Sequence, residues 1–130
     1  DRTLGDNGDL KAFVVCHHPP ATLHSPFIDA IKLDGEEALA RVIRRHDNVV
    51  AMLCGHAHTP AVTTFANRPL LLAPGVSSTL KLPFELSDGW RYNDVLDTKE
   101  PPMLAFHVIA DDARVTTHYR VVKARTAAPT

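Results

Sequence analysis

The chain has 130 residues, a hydrophobic content of 45% and a formal net charge of −1. This length bounds it to a single domain, 1–130, and the lack of a basic block argues against nucleic acid as a partner. No apolar run approaches the roughly 20 residues that span a bilayer, and no export signal opens the sequence, so we expect a cytoplasmic protein without a membrane partner. The sequence begins at Asp1 rather than at methionine, which favours a piece of a longer chain.

The first half of the sequence predicts a β-α-β unit. Residues 1–10 are polar and glycine-bearing, as in a loop, and the segment 11–16, which is apolar over 12–16, predicts a strand. After an irregular, proline-containing segment, Asp34 is a favourable N-cap for a helix over 35–46 with one apolar stripe. The apolar run 49–55 predicts a second strand. Strand, helix and strand in this order imply a parallel pair.

Short strands and a C-terminal hairpin are predicted for the second half. The predicted elements are a strand over 61–65, a turn at 67–69, a strand over 70–73, a loop-rich stretch over 76–102 that carries Trp90, and strands over 103–110 and 114–122. The last two strands alternate apolar and polar residues around Asp111 and Asp112, which is typical of a β-hairpin. The tail 123–130 is polar and is expected to fray. The pattern as a whole indicates an α/β fold.

Histidines follow both strands of the predicted β-α-β unit. His17 comes directly after the first strand, and Gly55 separates the second strand from His56 and His58. In an extended backbone, residues at i and i+2 point to the same face, so both imidazoles after Gly55 could converge on one site. Ligands of α/β proteins gather beyond the carboxyl ends of the strands. His17, His56 and His58 are therefore candidate metal ligands.

The residues leave the kind of metal site open. Three histidines without an acidic partner could hold a catalytic zinc ion with an open position. Three histidines shared between two metal ions that carboxylates bridge would instead suit phosphoester hydrolysis. None of the aspartates is placed like a bridging ligand: Asp29, Asp34 and Asp47 lie beside or on the helix, and Asp111 and Asp112 lie in the hairpin turn.

Other residues with chemical potential are better explained as structural. Cys16 and Cys54 are interpreted as reduced core residues, with a thiolate ligand as the less favoured alternative. Gly75 is expected to serve a turn rather than a phosphate cradle. Packing, solvation or cross-strand pairing is enough to explain the remaining histidines, His24, His46, His107 and His118.

The segments VVCHHPP at 14–20 and LCGHAH at 53–58 together resemble the C-terminal half of a calcineurin-like metallophosphoesterase. More narrowly, they are similar to the bacterial class III cyclic-nucleotide phosphodiesterases and glycerophosphodiesterases. The stretches 27–31 and 73–78 also agree with that branch. The resemblance implies that the chain is the second half of a four-layer α/β/β/α sandwich.

The same resemblance implies a site with two divalent metal ions (Mn, Fe, Zn or Co) in the complete protein. His17 and His56 would bind one metal ion and His58 the other, while His18 would lie beside a ligand without being one. The D-x-H, GD-x-x-D and GNH[DE] elements of the family belong to its N-terminal half and are absent from this sequence. The bridging aspartate and the leaving-group histidine are therefore expected in that half, and no catalytic residue is assigned here.

The implied activity is hydrolysis of a small phosphodiester, of the cyclic nucleotide or glycerophosphodiester class, by a metal-bound hydroxide. This chain would supply three histidine ligands and be inactive alone, and we expect it to self-associate or to require the missing half. The alternatives are a non-catalytic fragment or assembly module, and a phosphomonoesterase or phosphoprotein phosphatase.

Overall fold

The computed structural model describes residues 1–86, 91 and 94–123. Trp90 and nearly all of the predicted tail lie outside the described residues. The helices are α1 (Arg2–Asp6), α2 (Pro26–Asp29) and α3 (Glu36–Arg44), and a 3₁₀ turn covers Pro83–Glu85. The strands are β1 (Ala12–Cys16), β2 (Val49–Cys54), β3 (Ala61–Phe65), β4 (Arg68–Leu72), β5 (Thr79–Leu80), β6 (Leu96–Asp97), β7 (Met103–Ile109) and β8 (Val115–Val121).

The main sheet has four strands in the order β1-β2-β4-β3. Strands β1 and β2 are parallel, with Cys16 opposite Cys54 at their carboxyl ends, and β2 and β4 are also parallel. Strand β3 returns antiparallel to β4. The predicted parallel pair around a helix is confirmed, and the chain has a mixed α/β fold.

The helices cover one face of this sheet. Ile28 of α2 and Ile43 of α3 are fully buried in one cluster with Met52 and Leu70 from the two central strands. Alternation along a strand places every second side chain on the same face, so Met52 and Cys54 of β2 both point to the side that the helices cover. Burial of apolar surface contributes about 25 cal/mol per Å², so these side chains stabilise the β-α-β unit.

The opposite face carries a row of aliphatic side chains that runs across all four strands. Val15 pairs with Leu53, Leu53 with Leu71, and Leu71 with Val62, so the four residues lie in register on one face. We call them the apolar row. Leu71 is only 6% exposed, but Val15 and Val62 at the two edges are 70% and 62% exposed.

The predicted C-terminal hairpin is confirmed. Strands β7 and β8 pair antiparallel from Met103 opposite Val121 to Ile109 opposite Val115. The Tyr119 hydroxyl ties the hairpin to the main sheet, because it lies 3.2 Å and 3.1 Å from backbone carbonyl oxygens of β3 and β4, to which it donates.

The N-terminal segment is helical, so the prediction of a loop over 1–10 is wrong for its first part. The Asp1 carboxylate lies 2.7 Å from Arg45 and 2.6 Å from His46, just beyond the end of α3. Asn48 donates from its side chain to three carbonyls of the segment 4–10. These long-range contacts hold the segment in place, and they leave no local signal in its polar sequence.

One predicted helix start and the predicted irregular segment before it also differ from the structure. Helix α3 begins at Glu36 and not at residue 35, because Gly35 is its N-cap and adopts a left-handed conformation with φ 79°. The Asp34 side chain therefore does not cap the helix. Within the segment expected to be irregular, Pro26 begins the short helix α2, at a position where its missing N–H costs nothing.

The turn between β3 and β4 lies one residue earlier than predicted. Ala66 and Asn67 form it with φ angles of 50° and 64°. Two consecutive left-handed residues are the mark of a tight two-residue hairpin, whose twist matches that of the strands. Arg68 and Pro69 consequently belong to β4. Among the described residues, no helix has both the length and the apolar character needed to cross a membrane.

Candidate metal centre

The ends of β1 and β2 bring His17 and His56 together. His17 follows β1 directly, and the Gly55 N–H donates to the His17 carbonyl at 3.2 Å. A Cβ atom added at Gly55 would lie 3.3 Å from the His17 ring nitrogen Nδ1. Glycine at this position therefore leaves room for the His17 imidazole.

The spacing of the two imidazoles suits a shared metal ion. His17 Nε2 lies 3.3 Å from His56 Nδ1, with the ring planes at 73°. Two nitrogens that each lie about 2.1 Å from one ion, at a tetrahedral angle, are separated by about 3.4 Å. The observed separation is thus compatible with two ligands of one ion as well as with a hydrogen bond between the rings.

His18 is a third member of the cluster. Its ring centroid lies 4.1 Å from that of His56 and 5.1 Å from that of His17. The sequence placed His18 beside a ligand without a role. The signal for His18 was its position directly after His17. Alternation along a strand would point neighbouring side chains to opposite faces, but β1 ends at Cys16, so this rule does not apply to His17 and His18.

The surroundings of His56 favour its neutral form. Burial lowers the pKa of His56, and the charges of His18, His17 and His58 lower it further. The neutral imidazole is the form that binds a metal ion. In addition, His56 Nε2 is buried and has no hydrogen-bond partner among the described residues. A buried polar atom without a partner calls for an explanation, and an ion or a group from another segment would supply one.

His58 occupies a separate position at the same edge of the sheet. No ring contact or hydrogen bond joins it to the other three histidines within the described ranges; its Nδ1 lies 2.8 Å from Ser78 Oγ. The predicted extended backbone is wrong here, because His56 and His58 have φ angles of 59° and 50°. The chain turns after Gly55, so the i, i+2 rule for strands does not apply.

A cavity of about 430 Å³ lies beside His58. Thr59, Gly75 and Thr79 contribute to its wall, and Lys81 and Asp97 contribute charged groups that face each other at 3.7 Å. Its volume is that of a site for a small molecule. His58 lines this space, and His17, His18 and His56 are not among its lining residues.

Glu85, Asp97 and Glu100 line the cavity beside His58, but in the part of the chain that the structure describes no carboxylate is grouped with the histidines as a metal ligand. Across 1–86, 91 and 94–123, no group of three or more His, Cys, Asp or Glu side chains is arranged to hold a metal ion. The Asp29 carboxylate accepts from the backbone N–H groups of Leu23 and Ser25 at 2.7 and 3.1 Å, and Asp47 pairs with Arg68. The histidines form at most part of a metal site, and the three-ligand site remains a prediction.

The two cysteines form a pair of free thiols beneath the histidines. Their Sγ atoms lie 3.2 Å apart, and Cys54 is 3% exposed. Burial, and secondly the hydrogen bond with Cys16, raise the pKa of the Cys54 thiol to about 12. Because the thiolate is the form that binds metals, this environment supports the interpretation of Cys54 as a reduced core residue.

The remaining histidines have local partners or face solvent. His46 lies 2.6 Å from Asp1, His107 Nδ1 lies 2.9 Å from Thr117 Oγ1, and His24 and His118 are exposed. These surroundings agree with structural roles. Ser78 was the polar residue that the sequence could not assign, since it lies 20 positions from His58 and meets it only through the fold of the intervening strands.

Comparison with known proteins gives relatives of one kind. The chain is 28% identical, over 91% of its length, to a probable glycerophosphodiester phosphodiesterase of Arcobacter nitrofigilis. It is 35% identical over 70% of its length to a probable cyclic nucleotide phosphodiesterase of Synechococcus, and 28% identical over 68% to a 3′,5′-cyclic adenosine monophosphate phosphodiesterase of Haemophilus influenzae. No family model matches the chain.

These relatives are hydrolases, and each is longer than this chain. The chain spans 42% of the Arcobacter protein and 35% of each of the other two. The resemblance drawn from the histidine motifs is confirmed, because relatives of both predicted kinds, glycerophosphodiesterase and cyclic nucleotide phosphodiesterase, match most of the chain.

Proposed function

We propose that this chain, which corresponds to the C-terminal portion of a class III phosphodiesterase-like metallophosphoesterase, contributes histidine ligands to a centre that hydrolyses a small phosphodiester. The observation that carries the proposal is the pair of His17 and His56 at the carboxyl ends of two parallel strands. Their nitrogens have the spacing of two ligands on one ion, and burial lowers the pKa of His56.

The individual residues have distinct parts in this proposal. His17 and His56 hold one divalent ion, Mn, Fe, Zn or Co, and His58 holds a second. When bound, two such ions supply a hydroxide nucleophile and offset negative charge on phosphorus. His18 contributes by disfavouring the protonated form of His56. The cavity beside His58 receives the small substrate.

The centre is incomplete within the residues described, which is why we propose that further ligands come from another segment. A bridging carboxylate and a leaving-group histidine are each worth roughly a factor of 10² to 10⁴ in rate. The 130-residue chain alone should therefore bind metal weakly and turn over little or no substrate. Ligands of the missing half would complete the site, and the unpartnered His56 Nε2 would donate its proton to an acceptor from that half.

Two measurements test this function. Isothermal titration of the chain with Mn²⁺ or Zn²⁺ should show weak binding that His56→Ala abolishes and His118→Ala, a change at an exposed hairpin residue, leaves intact. Hydrolysis of bis(p-nitrophenyl) phosphate with Mn²⁺ should be at background for the chain and should appear when the upstream sequence of its own gene is joined to it. His56→Ala should then remove the restored activity.

Metal-dependent turnover by the 130-residue chain alone would contradict the proposed division of the site. Equal activity of the restored protein with and without His56 would contradict the proposed ligand. If the upstream sequence restored folding and assembly but no hydrolysis of any phosphodiester, a non-catalytic assembly module would be the better description.

A further inference from the structure

His58 is held at three points by the short segment 75–79, which we call the clamp. The His58 ring nitrogen Nδ1 lies 2.8 Å from Ser78 Oγ. The His58 backbone carbonyl accepts two hydrogen bonds, one from the Gly75 N–H at 3.1 Å and one from the Thr79 hydroxyl at 3.0 Å. Ring and backbone are thus fixed by the same few residues.

The clamp is folded tightly enough to require glycine at its start. A Cβ atom added at Gly75 would lie 1.8 Å from the Ser78 carbonyl oxygen and 3.1 Å from His58 Cβ. Real Cβ atoms do not approach backbone oxygens so closely, so no other residue fits this turn without a shift. The missing side chain lets the backbone around Ser78 fold back toward His58.

The left-handed backbone of His58 provides a second reason for a rigid support. Its φ angle of 50° is uncommon for a residue with a Cβ atom. Such a conformation persists where surrounding contacts over-determine it, and it is frequent at functional sites. The carbonyl hydrogen bonds from Gly75 and Thr79 are contacts of that kind.

The hydrogen bond to Ser78 decides which ring nitrogen of His58 is free. If Nδ1–H donates to Ser78 Oγ, then Nε2 keeps its lone pair and is available to a metal ion. If the serine hydroxyl donates to Nδ1 instead, Nε2 carries the proton and cannot bind a metal ion. Histidine ligands in metal sites characteristically donate their second ring N–H to a nearby acceptor, which fixes the tautomer.

We propose that Ser78 is a positioning residue that accepts the Nδ1–H of His58 and so presents Nε2 as the ligand nitrogen. The inference deepens the proposed function, since the metal ion is part of that proposal, but the tautomer it assigns belongs to the chain without metal. Ser78 is 7% exposed, so water competes poorly for this hydrogen bond. Gly75 and Thr79 of the clamp line the cavity proposed for the substrate, whereas Ser78 is not among its lining residues, so Ser78 acts through His58.

The tautomer of His58 is the first test, and it needs no metal. Long-range ¹⁵N NMR correlation of the chain with neutral His58 should show the proton on Nδ1. In Ser78→Ala the proton should shift toward Nε2, the tautomer that usually dominates in water, while Ser78→Thr should retain the Nδ1–H form. A wild-type spectrum with the proton on Nε2 would overturn the assignment, whatever the variants do.

Metal affinity is the second test. Ser78→Ala should weaken Mn²⁺ or Zn²⁺ binding by about 10- to 100-fold, the usual effect of removing an outer partner of a ligand, and Ser78→Thr should restore most of it. Unchanged affinity in Ser78→Ala, with affinity lost in His58→Ala, would overturn the role of Ser78 and leave the proposed function intact. Unchanged affinity in both His56→Ala and His58→Ala would instead overturn the proposed function, and the NMR result alone would then decide the role of Ser78.

Discussion

His56 combines the features that a metal ligand needs before the metal arrives. It follows a buried strand, packs against two other imidazoles and has a lowered pKa whose first cause is burial. Burial and the neighbouring imidazoles both disfavour a positive charge on the His56 ring. The cluster therefore favours the neutral form of His56, and the stability of the fold should depend on pH as a result.

The free energy of unfolding should depend on pH through His56. Its pKa in the folded chain lies below the ordinary value of 6.5, so the unfolded chain binds more protons between the two values. The contribution of neutral His56 is fully present above 6.5, and it is lost as the pH falls through the folded pKa. Urea unfolding of the wild type should show this loss, and His56→Asn, which tolerates the left-handed backbone, should show less of it.

His18 provides a further check of the same prediction. Among the neighbouring histidines it has the largest electrostatic effect on His56, so His18→Ala should raise the pKa of His56 toward 6.5 in an NMR titration. A fall in that pKa, or equal pH dependence of unfolding in the wild type and His56→Asn, would contradict the electrostatic account of the cluster.

At the level of single residues, the sequence was informative where a motif and a strand end coincide. His17 and His56 could be placed together because parallel strands end at one edge. The contribution of His18 could not be predicted, since it depends on how the chain leaves β1. The partner of His58 could not be predicted either, because Ser78 approaches it only through a turn at Gly75 that local patterns do not reveal.

Among the elements, the clamp is the one in which a single methyl group should have a large effect. Gly75→Ala would place Cβ 1.8 Å from the Ser78 carbonyl oxygen, and this backbone atom cannot move aside cheaply. We expect the free energy of unfolding to fall by about 1–3 kcal/mol or more, the usual cost of overpacking. Urea unfolding curves measure this change.

Gly8→Ala is the matched control for that substitution. Its Cβ atom would lie 3.6 Å from the nearest atom, which is an ordinary contact, and we expect a change within about 0.5 kcal/mol. Equal stability of the Gly75 and Gly8 variants would show that the clamp is looser than its contacts indicate.

The elements that the sequence predicted well are those with a strong apolar period. Strands β1 and β2, helix α3 and the hairpin of β7 and β8 lie within one or two residues of their predicted positions. Helix α1 was missed because its support comes from Asn48 and from the residues after α3, far along the chain. The start of α3 was misplaced because Gly35, with its left-handed φ, takes the cap position in place of Asp34.

At the scale of the whole molecule, helices pack against one face of the main sheet, and the other face is partly exposed. Helices α2 and α3 bury one face, whereas the apolar row on the other face ends in Val15 and Val62, both largely exposed. Sheets containing parallel strands are normally covered on both sides. A second layer over this face, as in the four-layer sandwich that the family resemblance implies, remains a prediction.

The apolar row should make the isolated chain self-associate, unless a further segment covers it. A fully buried valine contributes about 1.5–3 kcal/mol, so replacing an edge valine by lysine should weaken association by about tenfold or more. In sedimentation velocity, we expect Val15→Lys combined with Val62→Lys to shift the chain toward monomer. Glu37→Lys, at an exposed position of α3 on the helical side, adds positive charge away from the row and should leave association unchanged. A monodisperse wild-type monomer would show that the exposed valines need no second layer.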